Sequence, residues 1–393
     1  MNMKIMSVNC GSSSLKFSIF EMENKELIAS GYFEKVTIPG SFYNIKYNGE
    51  KIHEDIDMLN HTEAVEVMLD RIVKLGIVKD LTEIEAVGHR VVHGGDKYNK
   101  SVLITDEVID DIKKFSDLAP LHNPANLLGI EALQKALPNV PNVAVFDTAF
   151  HQTMEPKEFI YPVPYSWYED LMIRKYGFHG TSHCYVSKQI ERILDKKEYK
   201  AIICHLGSGG SLSAIKNGKS IDTTMGFTPL AGIMMGTRSG DIDPSILEYV
   251  CSKENVTIKE AVNVLNKQSG FLGLSGKSSD FRDVWAGVEA GDERCKLAVD
   301  KYVKTVVDYI AAYYVELGGC DMIAFTAGLG ENAAPVRKMI CDALSCLGVK
   351  MDEKQNEIRG EEVKLSTNDS KIEVYVIPTN EELMIAEDTY NLI

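Results

Sequence analysis

Residues 4–20, KIMSVNCGSSSLKFSIF, set the reading of the fold. Lys4–Asn9 is a short apolar run, Gly11 and three serines follow, and Leu15–Phe20 reads as a second strand, so the stretch spells strand, tight polar turn, strand. The same grammar returns at Ala201–Leu206, then Gly207-Ser208-Gly209-Gly210-Ser211, then Leu212–Ile215. One such turn is weak information, because an ordinary hairpin explains it. Two in one chain point to a duplicated unit, and Gly/Ser turns after strands suit phosphate because small residues let backbone N–H groups approach its oxygens.

The 393 residues exceed one ordinary core and favour two domains, with the repeat placing the boundary near residue 150. Between the turns, Thr62–Leu75 has helical apolar spacing with Asn60 or Thr62 as its cap, and Ile84–Val92 and Val143–Phe146 read as strands. Further on, Cys295–Leu317 is a long amphipathic helix, and Met322–Thr326 and Glu373–Ile377 are strands. The helical spacing of Glu381–Thr389 suggests that the chain end, 381–393, packs back onto the first domain. An α/β fold of two domains is expected, 1–150 with 381–393 and 151–380.

A composition of 45% hydrophobic and 25% charged residues belongs to a folded globular protein, and a net charge of −15 disfavours nucleic acid and anionic membrane. No run of about 18 apolar residues and no signal-peptide pattern occurs, so a cytoplasmic protein is expected. The eight cysteines form no CxxC pair. His89/His93 and His179/His183 have HxxxH spacing, but the glycines beside each pair argue against the helix that such a zinc site needs.

Two nucleotide signatures need separating from this pattern. Gly270–Ser278 imitates a Walker A loop but has Phe271 where the first glycine belongs. Gly328-Leu329-Gly330-Glu331-Asn332-Ala333 matches G-x-G-x-x-A after a strand, which makes a dehydrogenase the runner-up; its place late in the chain favours a turn holding the adenosine of ATP instead.

Charged residues complete the picture: Arg90 in GHRVVHGG, Asp147 in FDTAFH, His179 in YGFHGTSH, Arg238 in MGTRSGDIDP and Glu381 in PTNEEL. Any one alone is most simply a surface ion pair. Together, in glycine-rich contexts, two arginines, a histidine and two acids supply what phosphoryl transfer requires: cations around the transferred group and carboxylates for acceptor and metal.

These segments, with PLHNP, HLGSGGS, MGFTPL, SSDFRD and GLGEN, resemble the acetate kinase family from residue 9 to residue 382. The resemblance implies the acetate and sugar kinase, heat-shock protein and actin fold, with duplicated ribonuclease-H-like domains and the active site in the cleft between them. It implies a homodimer using Mg²⁺, or Mn²⁺ in its place, to interconvert ATP plus acetate with ADP plus acetyl phosphate. Carried onto this chain, Asn9 and Glu381 hold the metal, Lys16 faces the phosphates, Arg90 binds the carboxylate, Asp147 is the catalytic acid/base, and His179 with Arg238 stabilise the transition state. ATP falls to His205, Leu206, Gly207, Ser208 and Gly209, to Asp280, Phe281 and Arg282, and to Gly328, Leu329, Gly330, Glu331 and Asn332. Val92, Leu121, Phe178 and Pro229 match the wall of the methyl pocket, which implies acetate first and propionate second. Ser208 departs from the family string HLGNG. The rivals are a propionate kinase and a non-catalytic nucleotide switch of the same fold.

Overall fold

The computed structural model describes residues 3–393. They form two compact units, 3–152 with Asn380–Ile393, and Thr153–Thr379.

The first unit is built on eight strands: β1 (Lys4–Gly11), β2 (Ser14–Glu21), β3 (Glu26–Glu34), β4 (Phe42–Tyr47), β5 (Glu50–Asp55), β6 (Ile84–Val91), β7 (Val102–Leu103) and β8 (Asn142–Phe146). Their order is β5-β4-β3-β2-β1-β6-β8-β7. β1 and β2 pair antiparallel with Gly11 opposite Ser14, so only Ser12 and Ser13 make the turn. β6 and β8 then join parallel to β1.

The second unit contains β9 (Lys200–Leu206), β10 (Gly210–Lys216), β11 (Lys219–Thr223), β12 (Met322–Thr326), β13 (Val363–Lys364) and β14 (Glu373–Val376), in the order β11-β10-β9-β12-β14-β13. β9 and β10 form the antiparallel hairpin, and β12 and β14 run parallel to β9 and to β12 respectively. The core β3-β2-β1-β6-β8 of one unit and β11-β10-β9-β12-β14 of the other thus share one topology. The repeat read from the two Gly/Ser turns is the first hairpin of each copy.

The helices follow the same logic of local sequence. α1 (His61–Lys74) is capped by the Asn60 side chain, which accepts from the Glu63 N–H, and it buries Val65, Met68, Leu69 and Ile72 against the sheet. α2 (Asn123–Ala136) belongs to the first unit, and α3 (Gly180–Leu194) and α4 (Phe281–Glu289) to the second. α5 (Glu293–Glu316) turns Ala298, Tyr302, Val306 and Ile310 into the core of the second unit. Among the described residues, no helix is long and apolar enough to cross a membrane.

α6 (Ala327–Asn332) and α7 (Ala334–Ala343) follow β12, and α8 (Glu381–Tyr390) ends the chain. α8 returns to the first sheet, where Ala386 packs among Ile5, Phe20, Met22 and Ala86. Its seat is Gly88 on β6: a Cβ there would strike the Thr389 hydroxyl and stand 2.6 Å from Ile385 Cγ2. Gly88→Ala is therefore expected to lower the stability of the first unit by about 1–3 kcal/mol, read as a fall in its thermal midpoint, because neither contact is a flexible chain end.

Candidate active site

In the first unit the expected residues meet at the C-terminal ends of three neighbouring parallel strands. Asn9 lies near the end of β1, Arg90 near the end of β6, and Asp147 one residue past β8, where its N–H donates to the Val91 carbonyl. Strand ends of this kind, where polar side chains leave the sheet together, are where α/β folds place ligands. The Arg90 guanidinium grips Asp147 with two nitrogens, Nε at 3.1 and 3.0 Å and Nη2 at 2.5 Å from the carboxylate oxygens. Asp147 keeps 2% of its side-chain surface and Arg90 25%. Burial works against the arginine's charge, but Asp147, Glu381 and Glu382 outweigh it and hold the guanidinium protonated.

Asn9 faces Lys16 across the β1–β2 hairpin. Together with Arg90, Glu381, Glu382 and Ile385 they line one small pocket. Glu381 is the first residue of α8, whose N-terminus is capped by the Asn380 side chain accepting from the Leu383 N–H at 3.0 Å. Burial pushes the Glu381 carboxyl up to about 7; Arg90 pulls it back, and Asp147 and Glu382 push it further. An amide oxygen, a carboxylate held partly protonated by burial and a second carboxylate beside it form an oxygen-rich donor set, the kind Mg²⁺ takes with retained waters.

In the second unit His179 caps α3 in the left-handed region, φ 57°. Its Nδ1 meets the Ser211 hydroxyl at 2.9 Å, and that hydroxyl also meets His183 Nε2 at 2.8 Å, while His183 Nδ1 meets Ser213 Oγ at 2.7 Å. The His205 ring stacks on His179 with centroids 4.2 Å apart, and its Nδ1 meets Ser182 Oγ at 2.8 Å. The second HxxxH pair thus straddles the start of α3: His179 stands outside the helix at its cap and only His183 is helical, so the glycine-rich start is part helix, part turn. Gly180 opens α3 and His183 lies in its first turn, where a helix start tolerates glycine.

Arg238 and His179 flank the Gly207–Gly209 turn: a Cβ on Gly209 would stand 3.5 Å from both Arg238 Nη1 and His179 Nε2. Arg238 Nη1 donates to the Pro229 carbonyl at 3.1 Å, and no carboxylate pairs with this guanidinium among the described residues. It is a half-buried cation whose remaining donors are available to an anion.

Three of the expected ATP segments converge on a cavity of about 950 Å³ in the second unit, lined by Gly207 and Ser208, by Asp280, Phe281 and Arg282, and by Gly328, Leu329 and Asn332. Asp280 caps α4 and pairs with Arg282, which holds its carboxyl at about 2. Other assignments need correction. Leu206 is fully buried in the core and does not line the cavity. Phe281 is a core aromatic, 8% exposed and packed on Phe271 and Trp285, so it forms the floor of the cavity. Gly328–Asn332 is not a turn but most of α6. The Glu331 carboxylate is used inside the fold, accepting from the N–H groups of Ala327 at 2.9 Å and Thr379 at 3.1 Å. Gly330 is a buried residue of this helix. Lys16 belongs to the first unit.

Of the expected methyl-pocket wall, Val92 and Phe178 are 6% and 4% exposed, each in its own unit, while Leu121 is 70% exposed just before α2. Sequence reasoning missed Trp285, Asn356 and Arg359, which also line the cavity, and the hydroxyls of Ser182 and Ser211 that orient the histidines. Ser182 sits within YGFHGTSH and Ser211 within the second turn, so both had a signal; Arg359 stands in an ordinary polar stretch and had none.

The sequence model of the acetokinase family matches residues 4–387. The acetate kinase of Thermoanaerobacterium thermosaccharolyticum is 52% identical, covering 100% of this chain and 99% of that protein. That of Bacillus cereus is 51% identical over 99% of this chain and 98% of its own. Among solved structures, Porphyromonas gingivalis acetate kinase matches with a TM-score of 0.95 at 44% identity, covering 99% of both chains. A propionate kinase from Francisella tularensis matches with a TM-score of 0.95 at 42% identity, covering 100% of both. The duplicated actin-like topology expected from the resemblance is the topology found, and with a family match across nearly the whole length the chain belongs to the acetokinase family.

Proposed function

We propose that this protein is a Mg²⁺-dependent kinase that transfers the γ-phosphoryl group of ATP to acetate, reversibly, giving ADP and acetyl phosphate. The observation that carries the reading is the Arg90–Asp147 pair at the strand ends beside Asn9 and Glu381, in a chain of this family. The first unit then serves acyl substrate and metal, and the second serves the nucleotide. The working form is a cytoplasmic homodimer, as the family resemblance implies.

In this mechanism Arg90 receives the carboxylate of acetate, a fork well matched to two oxygens, with Asp147 holding the guanidinium in place. Acetate is already anionic at neutral pH, so Asp147 need not remove a proton for an acetate oxygen to attack. The new P–O bond forms to that oxygen as the bond to the β-phosphate oxygen breaks in line, and no phosphoenzyme intervenes. Arg238 and His179 donate to the equatorial oxygens, and Ser211 fixes the orientation of the His179 ring. Bound Mg²⁺, held by Asn9 and Glu381 directly or through water, supplies charge neutralisation on the phosphates. The cavity beside Gly207, Asp280 and Gly328 takes the nucleoside.

ADP formation from ATP with acetate, propionate or butyrate, with acyl phosphate trapped as the hydroxamate, tests this. Hydroxamate largest with acetate supports the reading, and Mn²⁺ is expected to replace Mg²⁺. The likeness to a propionate kinase favours a second activity on propionate, because one methylene changes binding by only about 1–3 kcal/mol. ATP binding without acyl phosphate from any acid would instead identify a nucleotide switch.

The Glu381 carboxyl makes the metal step dependent on pH. Its carboxyl, raised from 4.5 to about 7, must lose its proton to a cation. Mg²⁺ affinity without nucleotide is therefore expected to rise about fivefold from pH 6 to 7, to about double again by pH 8 and to level off above, by calorimetric titration. The sign for stability is the reverse: the folded chain binds this proton more tightly than the unfolded one, so without cation this contribution falls as pH rises from 4.5 through 7. Added Mg²⁺ should raise the melting temperature more at pH 8 than at pH 5.

A further inference from the structure

Arg337, on α7, has no part in the chemistry above, yet it is the largest fully buried side chain among the described residues. Its five N–H donors are all engaged. Nε donates to Asn356 Oδ1 at 2.9 Å, Nη1 to the carbonyls of Gly330 at 3.0 Å and Glu331 at 2.8 Å, and Nη2 to those of Asn356 and Ile358. Every acceptor is a carbonyl oxygen and none is a carboxylate. Burial lowers its affinity for the proton to about 10, which leaves it charged at neutral pH.

A buried charge held without a counter-ion is costly, and core arginines are ordinarily paired. Here the guanidinium ties two chain segments, the last turn of α6 and residues 356–358, which are also joined where the Gly360 N–H donates to the Glu331 carbonyl at 3.3 Å. Asn356 completes the tie by donating to the Ala334 carbonyl at 2.9 Å. Both segments line the cavity of about 950 Å³, Gly328, Leu329 and Asn332 from the first and Asn356, Glu357 and Arg359 from the second. Arg337 itself stands behind the wall.

We propose that Arg337 is a positioning residue for the nucleotide: its carbonyl cage fixes the separation of the 328–332 and 356–359 walls, and thereby ATP affinity, without touching the ligand. The proposal rests on reading this cavity as the nucleotide site. Lysine is a poor substitute, because a compact ammonium has three donors and cannot span five acceptors laid out in a plane.

The test is steady-state kinetics of Arg337→Met and Arg337→Lys with ATP and acetate varied separately. In Arg337→Met the KM for ATP is expected to rise at least about tenfold, with kcat and the KM for acetate within about twofold; Arg337→Lys should fall between the two. A folded Arg337→Met with unchanged KM for ATP overturns the proposal. So does a parallel change in kcat and both KM values that lysine fails to mitigate, which marks general structural damage. Should Arg337→Met not fold, Asn356→Ala removes the Nε acceptor together with the Ala334 tie, and the same selective rise of about threefold is expected; no rise overturns the proposal.

Gly328→Leu separates the proposal from the reading beneath it, because a Cβ on Gly328 meets nothing within 4 Å and the added bulk enters the cavity. A raised KM for ATP there, with none in the Arg337 variants, sinks the positioning role alone. No rise in Gly328→Leu removes the nucleotide site and the proposal together.

Discussion

Arg238→Ala is expected to lower kcat about 10²–10³-fold while leaving the KM values for acetate and ATP within a few-fold. The magnitude is that of removing one preorganised donor from a developing charge in a site sheltered from water. The selectivity follows from what Arg238 does in the free protein. Its Nη1 hydrogen bond goes to the Pro229 carbonyl, it approaches the Met235 sulfur at 3.9 Å, and it has no carboxylate to satisfy. Its loss should therefore change the melting temperature little, and the missing interaction is one made to the transferred group. Rapid-quench measurement of the first turnover separates chemistry from product release. An unchanged kcat would remove Arg238 from the mechanism.

The second large effect is expected at Asp147, where activity and stability fall together. Asp147→Ala leaves the Arg90 guanidinium without its partner in a place where only a quarter of that side chain reaches water. Breaking a buried pair from one side costs about 3–5 kcal/mol, and the partial exposure of Arg90 places this one near the lower end. The companion Arg90→Ala removes the carboxylate fork and is expected mainly to raise the KM for acetate. The double variant should be destabilised by at least about 1 kcal/mol less than the sum of the singles, because Asp147→Ala leaves a mostly buried guanidinium charge that the double does not contain. Urea unfolding of the four proteins closes the cycle. Strict additivity would mean that the pair contributes nothing to the fold and that Asp147 acts on the ligand alone.

How much of this was legible depended on whether a residue's role was written in its neighbours. The hairpins around Ser12–Ser13 and Gly207–Gly209 were, because apolar runs broken by small residues have few other solutions. So was α8, from its helical spacing alone. α6 was not: two glycines in six residues deny it helical propensity, and it exists because the Glu331 carboxylate caps its own first turn and Arg337 gathers its last carbonyls. Those supports are tertiary, and no local pattern encodes them. Arg337 was hidden for the same reason, since an arginine beside Lys338 in a helix reads as a solvated face. The candidate residues were recognised by family strings, while their surroundings, such as the Ser211 hydroxyl shared by His179 and His183, emerged only from the fold.

The return of α8 to the first unit has a consequence for synthesis. On the ribosome, the sheet of β1, β2, β6 and β8 emerges long before the helix that covers it, since the whole of Thr153–Thr379 is translated in between. At about 5–20 residues per second, that delay is on the order of ten to fifty seconds. Throughout it, Ile5, Phe20, Met22 and Ala86 lack Ala386, and Gly88 offers an empty seat. The nascent first unit thus exposes that apolar face until α8 is made. Glu381 arrives with the covering helix, so the pocket it lines with Asn9 and Arg90 is completed only after the second unit has been translated.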